Sequence, residues 1–150
     1  MRLTVRTNLA MRALMTCAVR TPETVRKAEI ARVCNGSEAH FGLVINKLAQ
    51  AGFIDTLRGR GGGIRLARPA EEITVGAVFR TFEACVPFAE CFDGADNQCP
   101  IKSACRLRGT FARALEAFFA ELDGVTLADL VVDNAALDAL LAPPAPAATA

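Results

Sequence analysis

Histidine is almost absent from this chain, which has a single one, His40, among 150 residues. Ser-His-Asp and Cys-His catalytic arrangements need a histidine as the general base, and one histidine supplies no such set. The chain also has no apolar run of the about 18 to 20 residues that a membrane span needs, and its N-terminus has no signal-peptide layout. These absences argue against an enzyme and predict a cytoplasmic protein without a membrane span.

Two further motifs are missing. No pair of cysteines has the C-x-x-C spacing that zinc sites favour. No strand leads into G-x-x-x-x-G-K-[ST], so the glycine-rich run at 59–63 is not predicted to hold a nucleotide phosphate. With 150 residues, the chain is about one domain and can bury a core without metal or disulfide crosslinks.

Three of the six cysteines form a spaced group. Seven residues separate Cys91 from Cys99, and five separate Cys99 from Cys105. The loop after Cys91 is polar and contains a glycine, and Pro100 follows Cys99 directly. Thiolate ligands of iron-sulfur clusters usually come from one such segment. The spacing therefore predicts a cluster, with a zinc knuckle or a disulfide as the alternatives.

The other three cysteines are predicted to be structural. Cys17 and Cys34 lie in apolar helical patterns, where free cysteine is readily buried. Cys85 precedes Cys91 by six residues, so it either approaches the cluster or is a buried thiol. The cytoplasm would keep all six mostly reduced.

The net charge of +1 conceals a strong asymmetry. Residues 1–70 have twelve Lys and Arg against four acids, a net charge of +8, whereas residues 71–150 have five against twelve, a net charge of −7. A surface charged only for solubility would mix the two signs. The basic half is therefore the candidate nucleic-acid face.

Three helices are predicted in the basic half, at about 8–20, 26–34 and 38–51. Pro22 limits the first, Asn35-Gly36 is a strong turn signal, and Ser37 is a good N-cap for the third. Two helices joined by a short glycine-containing turn make a helix-turn-helix.

The third predicted helix has the pattern of a recognition helix. Its core face, at the spacing i, i+3, i+4 and i+7, contains Phe41, Val44, Ile45 and Leu48. Its outward face contains Ala39, His40, Leu43, Asn46, Lys47 and Gln50. Because a recognition helix contacts base edges with its N-terminal residues, Ser37, Glu38 and His40 are the first candidates for readout. His40 is otherwise an ordinary surface histidine, and an outward Leu43 either contacts a thymine methyl group or indicates a different helical register.

A β-hairpin with a glycine-rich tip is predicted next, with strands at 52–58 and 64–67. Arg58, Arg60 and Arg65 place guanidinium groups at its tip and flanks. Such a wing suits a narrow minor groove, whose negative potential attracts arginine.

The remaining residues are predicted to be helical around the cysteine loop. Thr74 caps a helix to about residue 82, a long helix starts near Ala104, Thr126 caps a short helix, and Asn134 begins another that ends near Leu141. An apolar stripe on the long helix comprises Leu107, Phe111, Leu115, Phe118 and Leu122. This stripe suits a partner helix, the intramolecular core, or both.

These motifs together resemble a known family. The opening Met1-Arg2-Leu3-Thr4, the wing 58–66, Glu90-Cys91, Cys99-Pro100 and Cys105 are similar to the iron-sulfur winged-helix repressors typified by IscR, NsrR and RirA. The resemblance covers about residues 1–131. It implies a mainly α fold with a small β-hairpin: a winged helix-turn-helix plus a long dimerisation helix.

The resemblance also implies the functional residues. The cluster ligands would be Cys91, Cys99 and Cys105, and the cluster 4Fe-4S, with 2Fe-2S as the alternative. The implied contacts to double-stranded operator DNA are Ser37, His40, Arg58 and Arg60, and the outward face of the third helix adds Lys47. The implied organisation is a DNA-binding region at 1–83, a cluster loop and dimerisation helix at 84–141, and a disordered tail at 142–150.

The fourth iron ligand separates the branches of this family. NsrR-type nitric oxide sensors use an aspartate in the first helix of the partner subunit, and Asn8 occupies that position here. An amide is a poorer iron ligand than a carboxylate, so the cluster would be more labile or its fourth site open. The first helix and the run 88–92 resemble the RirA-like iron regulators, whereas 105–107 and 126–130 resemble the NsrR branch.

The sequence thus predicts a homodimeric, cluster-dependent repressor that senses iron availability and controls iron homeostasis. One alternative keeps the fold and senses nitric oxide, although Asn8 argues against it. The other is a small iron-sulfur redox protein, for which a basic N-terminal half and an arginine-tipped wing would have little use.

Overall fold

Three helices form the N-terminal part of the protein. The computed structural model describes residues 3–83, 87–94 and 97–143. Helix α1 (Val5–Val19) begins three residues before its predicted start, because the Thr4 side chain caps it by accepting from the Thr7 N–H. Helices α2 (Lys27–Val33) and α3 (Glu38–Gln50) follow.

The turn between α2 and α3 matches its sequence signals. The hydroxyl of Ser37 accepts from the N–H of His40 at 3.3 Å, as predicted for an N-cap. Asn35 has a positive φ of 50°, and a Cβ at Gly36 would lie 2.6 Å from the ring of buried Phe41. The turn therefore needs a glycine where α3 packs beneath it. The predicted core face of α3 is confirmed, with all four residues buried.

Strands β1 (Ile54–Leu57) and β2 (Gly63–Leu66) form the predicted antiparallel hairpin, shorter at its outer ends than expected. Two backbone hydrogen bonds join Val25 to Ile64, at 2.8 and 2.9 Å, and fix the hairpin to the segment before α2. Gly59 and Gly61 have φ values of 97° and 88°, which glycine adopts without strain, and so allow the tight tip.

Four α-helices follow the hairpin in the described residues: α4 (Val75–Glu83), α5 (Leu107–Asp123), α6 (Leu127–Val131) and α7 (Ala135–Leu141). The predicted caps Thr74 and Thr126 each accept a backbone N–H from the residue three further on, and Asn134, the predicted start of the last helix, does the same. The prediction was wrong about the start of α5, because residues 100–104 form turns instead.

The main core contains side chains from α1 to α4, the hairpin and α6. Leu127 of α6 is fully buried, and its N–H donates to the carbonyl of Ile73 at 2.7 Å. The core therefore includes residues on both sides of position 83. The division of the chain into two regions at that position stays a prediction. Cys17 and Cys34 lie in this core, as predicted. Cys85 and the tail after residue 143 lie outside the described residues.

Helix α5 is less covered by the rest of the chain than α1 and α3, the other two long helices. It packs along α4 through Phe118, whose ring centroid is 6.5 Å from that of Phe79, and through the ion pair of Arg80 with Asp123. None of its 17 residues is fully buried. The predicted apolar stripe is thus partly open in the single chain.

Candidate cluster site and nucleic-acid interface

The three spaced cysteines line one cavity. It has a volume of about 310 Å³ and lies between the short 3-10 turn Glu90–Phe92, the segment 97–105 and the start of α5. Its wall includes Cys91, Cys99 and Cys105, and all three thiols are free and partly exposed. The tertiary structure therefore brings together the residues that the spacing singled out.

Hydrogen bonds hold the two sides of this cavity together. Glu90 accepts the N–H of Gln98 at 2.7 Å, which links the turn around Cys91 to the segment that begins before Cys99. The Asn97 side chain accepts the N–H of Cys99 at 3.1 Å, and Lys102 donates to the Asn97 carbonyl at 3.1 Å. These hydrogen bonds with polar side chains therefore fix the backbone conformation of the loop around the thiols.

An aromatic cluster attaches the cysteine loop to α5. The ring of Phe88 packs edge-to-face against Phe92 at 6.2 Å and against Phe111 at 5.3 Å, between ring centroids. Phe111 also lines the cavity. A change in the loop conformation would therefore directly alter the packing against α5.

The thiols surround the cavity without converging on one point. Within 3–83, 87–94 and 97–143, no three His, Cys, Asp or Glu side chains are close enough to hold a single metal ion. A zinc site needs four ligands at about 2.0–2.3 Å from one centre. Iron-sulfur clusters instead spread several iron atoms over thiolates of one wrapping segment. The cavity wall also includes the cationic side chains of Lys102 and Arg108. The donor set fits a cluster of this kind.

Asn8 lies in a different place within the single chain. It is exposed on α1 and lines a groove of about 430 Å³ that it shares with Arg12, Ser37 and His40. Arg12 donates to the carbonyl of Cys34 at 2.9 Å and so joins α1 to the end of α2. Iron ligation by Asn8 across a dimer stays a prediction, but its groove includes the start of α3.

The predicted DNA contacts occupy two exposed regions, with one exception. Ser37 and His40 are exposed at the start of α3, and Arg58 and Arg60 are exposed at the wing tip. Lys47 differs, because it is half-buried and its ammonium lies 5.1 Å from the ring centroid of Phe82. It thus lies against α4, away from the N-terminal end of α3.

Arg65 is engaged within the wing itself. Its guanidinium pairs with Asp55 on the opposite strand at 3.5 Å. Among the described residues, no ion pair or side-chain hydrogen bond involves Arg58 or Arg60. These two arginines are therefore the more available cations of the wing.

A junction around Glu83 has no counterpart in the sequence patterns. Its carboxylate accepts from the N–H and the hydroxyl of Thr4, at 2.9 and 3.0 Å, and from the hydroxyl of Thr7. Partial burial raises the pKa of Glu83, but the bonds from Thr7 and Thr4 and the charge of Lys47 outweigh it, so the pKa is lowered overall. The junction joins α1, α3 and the end of α4. Residues 79 positions apart carry no periodic signal that could predict it.

Comparison with known proteins identifies the family. Residues 3–133 match the Rrf2 family, described as an iron-dependent transcriptional regulator. The chain belongs to the Rrf2 family. This Rrf2 protein is therefore a transcriptional regulator and not an enzyme, and the predicted resemblance is confirmed.

Similar proteins of known sequence support this assignment. Protein aau3 of Rhizobium meliloti is 42% identical over 94% of this chain and 92% of its own length. The HTH-type transcriptional regulator NsrR of Geobacillus kaustophilus is also 42% identical, over 94% of this chain and 97% of its own. The second of these relatives is thus, by its name, a transcriptional regulator of the helix-turn-helix type.

A solved structure supports the fold of this Rrf2 regulator. The CymR global cysteine regulator of B. subtilis superposes with a TM-score of 0.68 at 23% identity, over 87% of this chain and 96% of CymR. The mainly helical winged-helix fold is therefore confirmed. Across the described residues, no helix combines the length and the apolar character needed to cross a membrane.

Proposed function

We propose that this Rrf2 regulator is a homodimeric repressor whose binding to double-stranded operator DNA depends on an iron-sulfur cluster and reports iron availability in the cytoplasm. The observation that supports this proposal best is the common cavity of Cys91, Cys99 and Cys105. A bound cluster, 4Fe-4S or 2Fe-2S, would supply iron that is lost when the metal is scarce. The three thiolates would hold it, and Lys102 and Arg108 would offset their charge.

The weak fourth ligand supports iron as the signal. The predicted ligand from the partner subunit is an amide, Asn8, which binds iron less well than a carboxylate. Three thiolates with a weak fourth donor would hold a cluster loosely. A loosely held cluster is lost at modest iron scarcity, as a sensor of iron supply requires.

The groove at Asn8 suggests how the signal reaches DNA. Asn8 shares that groove with Ser37 and His40, which begin the proposed recognition helix. A partner loop that contacts Asn8 would therefore lie against the DNA-reading end of α3, and its relaxation would remove that support. A coupling free energy of about 1 to 3 kcal/mol would change DNA affinity roughly 5- to 150-fold.

Nitric oxide is the second candidate signal. The 42% identity to an NsrR regulator over nearly the whole chain favours it. The choice of Asn8 over a carboxylate opposes it, because the NsrR-type sensors that this chain resembles use aspartate there. The small redox protein considered from the sequence is set aside, because the family consists of transcriptional regulators.

One experiment tests cluster binding and the signal together. A DNA duplex is first recovered by selection from a random-sequence library with anaerobically purified protein. The visible absorption and the binding of that duplex are then followed while a mild iron chelator is added. Parallel loss of absorption and of DNA binding is the expected result. Cluster loss without DNA release would contradict the proposal, and resistance to the chelator with sensitivity to nitric oxide would favour the second signal.

Serine substitutions identify the ligands. Ser at Cys91, Cys99 or Cys105 should abolish the broad visible absorption and the chelator-sensitive DNA binding. The matched control is Cys34→Ser, because this buried thiol lies in the core and outside the cavity. Unchanged absorption after substitution of any one of the three would remove that residue from the ligand set.

A further inference from the structure

The outward face of α3 contains one large apolar side chain. Leu43 is 57% exposed, and its neighbours one turn away on this face, His40 and Asn46, are polar and exposed. A single exposed leucine is ordinary on a protein surface. The location of Leu43 is what matters, because it is the sixth residue of α3 and follows the exposed His40 by one turn. The burial of the opposite face also rules out the alternative helical register.

Gly42 beside it has no packing reason to be glycine. A Cβ built at Gly42 has nothing within 4 Å among the described residues, whereas one at Gly36 would collide with Phe41. Glycine inside a helix lowers its stability relative to alanine. No contact within the described residues explains this loss of helix stability. The free space at Gly42 is therefore available to another molecule that approaches α3.

The surrounding charge indicates that this molecule is DNA. The first 70 residues have a net charge of +8, and the exposed Arg58 and Arg60 lie on the wing of the same DNA-binding unit. In the major groove, the methyl group of thymine is the apolar feature that distinguishes it from the other bases. An exposed leucine on a reading helix is complementary to that group.

We propose that Leu43 reads a thymine methyl group in each half-site and that Gly42 provides the clearance for this contact. The proposal rests on the proposed DNA binding and deepens it, because it names a base that the operator must contain. It assigns sequence readout to an apolar contact, where His40 and the wing arginines alone would suggest only polar ones.

The test replaces thymine by deoxyuridine, which removes only the methyl group. Each thymine of the duplex recovered by random-sequence selection is replaced in turn, and the affinity of the unaltered protein is measured. One thymine per half-site should show an about 4-fold loss, the factor expected when one buried methyl group is removed. The other thymines should show none and serve as internal controls.

Two variants connect the effect to these residues. Leu43→Ala should bind the thymine duplex less tightly and should no longer distinguish thymine from deoxyuridine at the sensitive position. Gly42→Ala should raise the melting temperature, because alanine favours the helix, and yet weaken DNA binding. Opposite directions of these two effects separate a DNA contact from a folding defect.

Each outcome decides between the proposals. Equal binding of thymine and deoxyuridine at every position would overturn the assignment of Leu43, and so would discrimination that persists in Leu43→Ala. Unimpaired DNA binding by Gly42→Ala would overturn the clearance. Failure to select any duplex would instead overturn the proposed function, and the inference with it.

Discussion

Two of the cysteines, Cys17 and Cys34, are buried in the core, whereas those of the loop are partly exposed. Burial raises the pKa of Cys17 to about 12, and burial also raises the pKa of Cys34. A cysteine binds metal as the thiolate. The two buried residues therefore stay protonated side chains of the core at neutral pH, and the partly exposed Cys91, Cys99 and Cys105 are the available ligands.

Asn8 is the residue at which the sequence resemblance predicts the fourth iron ligand, donated from the partner subunit. Asn8→Asp should slow the loss of iron to a chelator, because a carboxylate binds iron better than an amide. The rate is read from the decay of visible absorption under anaerobic conditions. Asn46→Asp on α3, also exposed, is the matched control and should leave the rate unchanged. An identical rate for Asn8→Asp would contradict any role of this position at the cluster.

Glu83 makes stability depend on pH. Because its pKa in the folded protein is lowered from the ordinary 4.5, its contribution is present above pH 4.5 and is lost as the pH falls through the folded pKa. Glu83→Gln should lower the free energy of unfolding at pH 7 by about 2 kcal/mol, the scale of hydrogen bonds to a charged group. The difference from the unaltered protein should shrink below pH 4.5.

Urea unfolding at a series of pH values measures this dependence. Glu71→Gln is the control, because Glu71 is exposed and the same charge is removed there without the threonine contacts. A difference between Glu83→Gln and the unaltered protein that stays constant from pH 7 to acid would contradict the assignment.

At the scale of elements, the wing is a fixed hairpin in which Arg58 and Arg60 have no ion-pair partner among the described residues. The backbone bonds to Val25 and the pair of Arg65 with Asp55 fix the hairpin whose tip contains Arg58 and Arg60. Fixing a contact surface before binding lowers the entropy cost of association. The wing is therefore suited to contact DNA.

Alanine substitutions at the wing tip should weaken DNA binding. Arg58→Ala and Arg60→Ala should each reduce the slope of log affinity against log salt by about one phosphate-equivalent. Titrations of the selected duplex at several salt concentrations measure the slope. Arg113→Ala, an exposed arginine on α5, should leave it unchanged. Unaltered slopes for both wing variants would exclude the wing from DNA binding.

At the scale of the whole molecule, α5 is the helix through which we expect two copies of the chain to pair. Its stripe lies partly open along the length of the helix, and the cysteine loop is attached to it through Phe88 and Phe111. A second copy packed on this stripe would bury the part of its apolar surface that the single chain leaves exposed. Dimerisation through α5 would also connect the two cysteine loops, because each loop is attached to one of the two paired helices.

A charge in the stripe should separate the proposed dimer. Leu115→Glu introduces a carboxylate at a half-buried position of α5, outside the main core, and desolvating it in an interface would be costly. The expected result is a monomer by light scattering, with weaker DNA binding. Leu140→Glu on α7 is the matched control, because Leu140 is 74% exposed. A dimer that persists in Leu115→Glu would place the interface elsewhere.

Local patterns of the sequence determined most of the elements of this protein. The turn at Asn35-Gly36, the caps at Ser37, Thr74, Thr126 and Asn134, the apolar face of α3 and the glycine-rich hairpin each depend on residues within a few positions of one another. Because these interactions involve only neighbouring residues, short stretches of sequence are enough to predict them. The motifs of the sequence alone also indicated the family.

Only the tertiary structure decided what those elements do to one another. It placed Asn8 beside the start of α3, directed Lys47 against Phe82, delayed α5 to Leu107 and joined Glu83 to Thr4 and Thr7. These relations depend on packing between segments that are distant in sequence, where spacing and periodicity carry no information. The cysteine spacing suggested a common site, but the shared cavity exists because Glu90, Asn97 and the aromatic cluster fold the loop back onto α5.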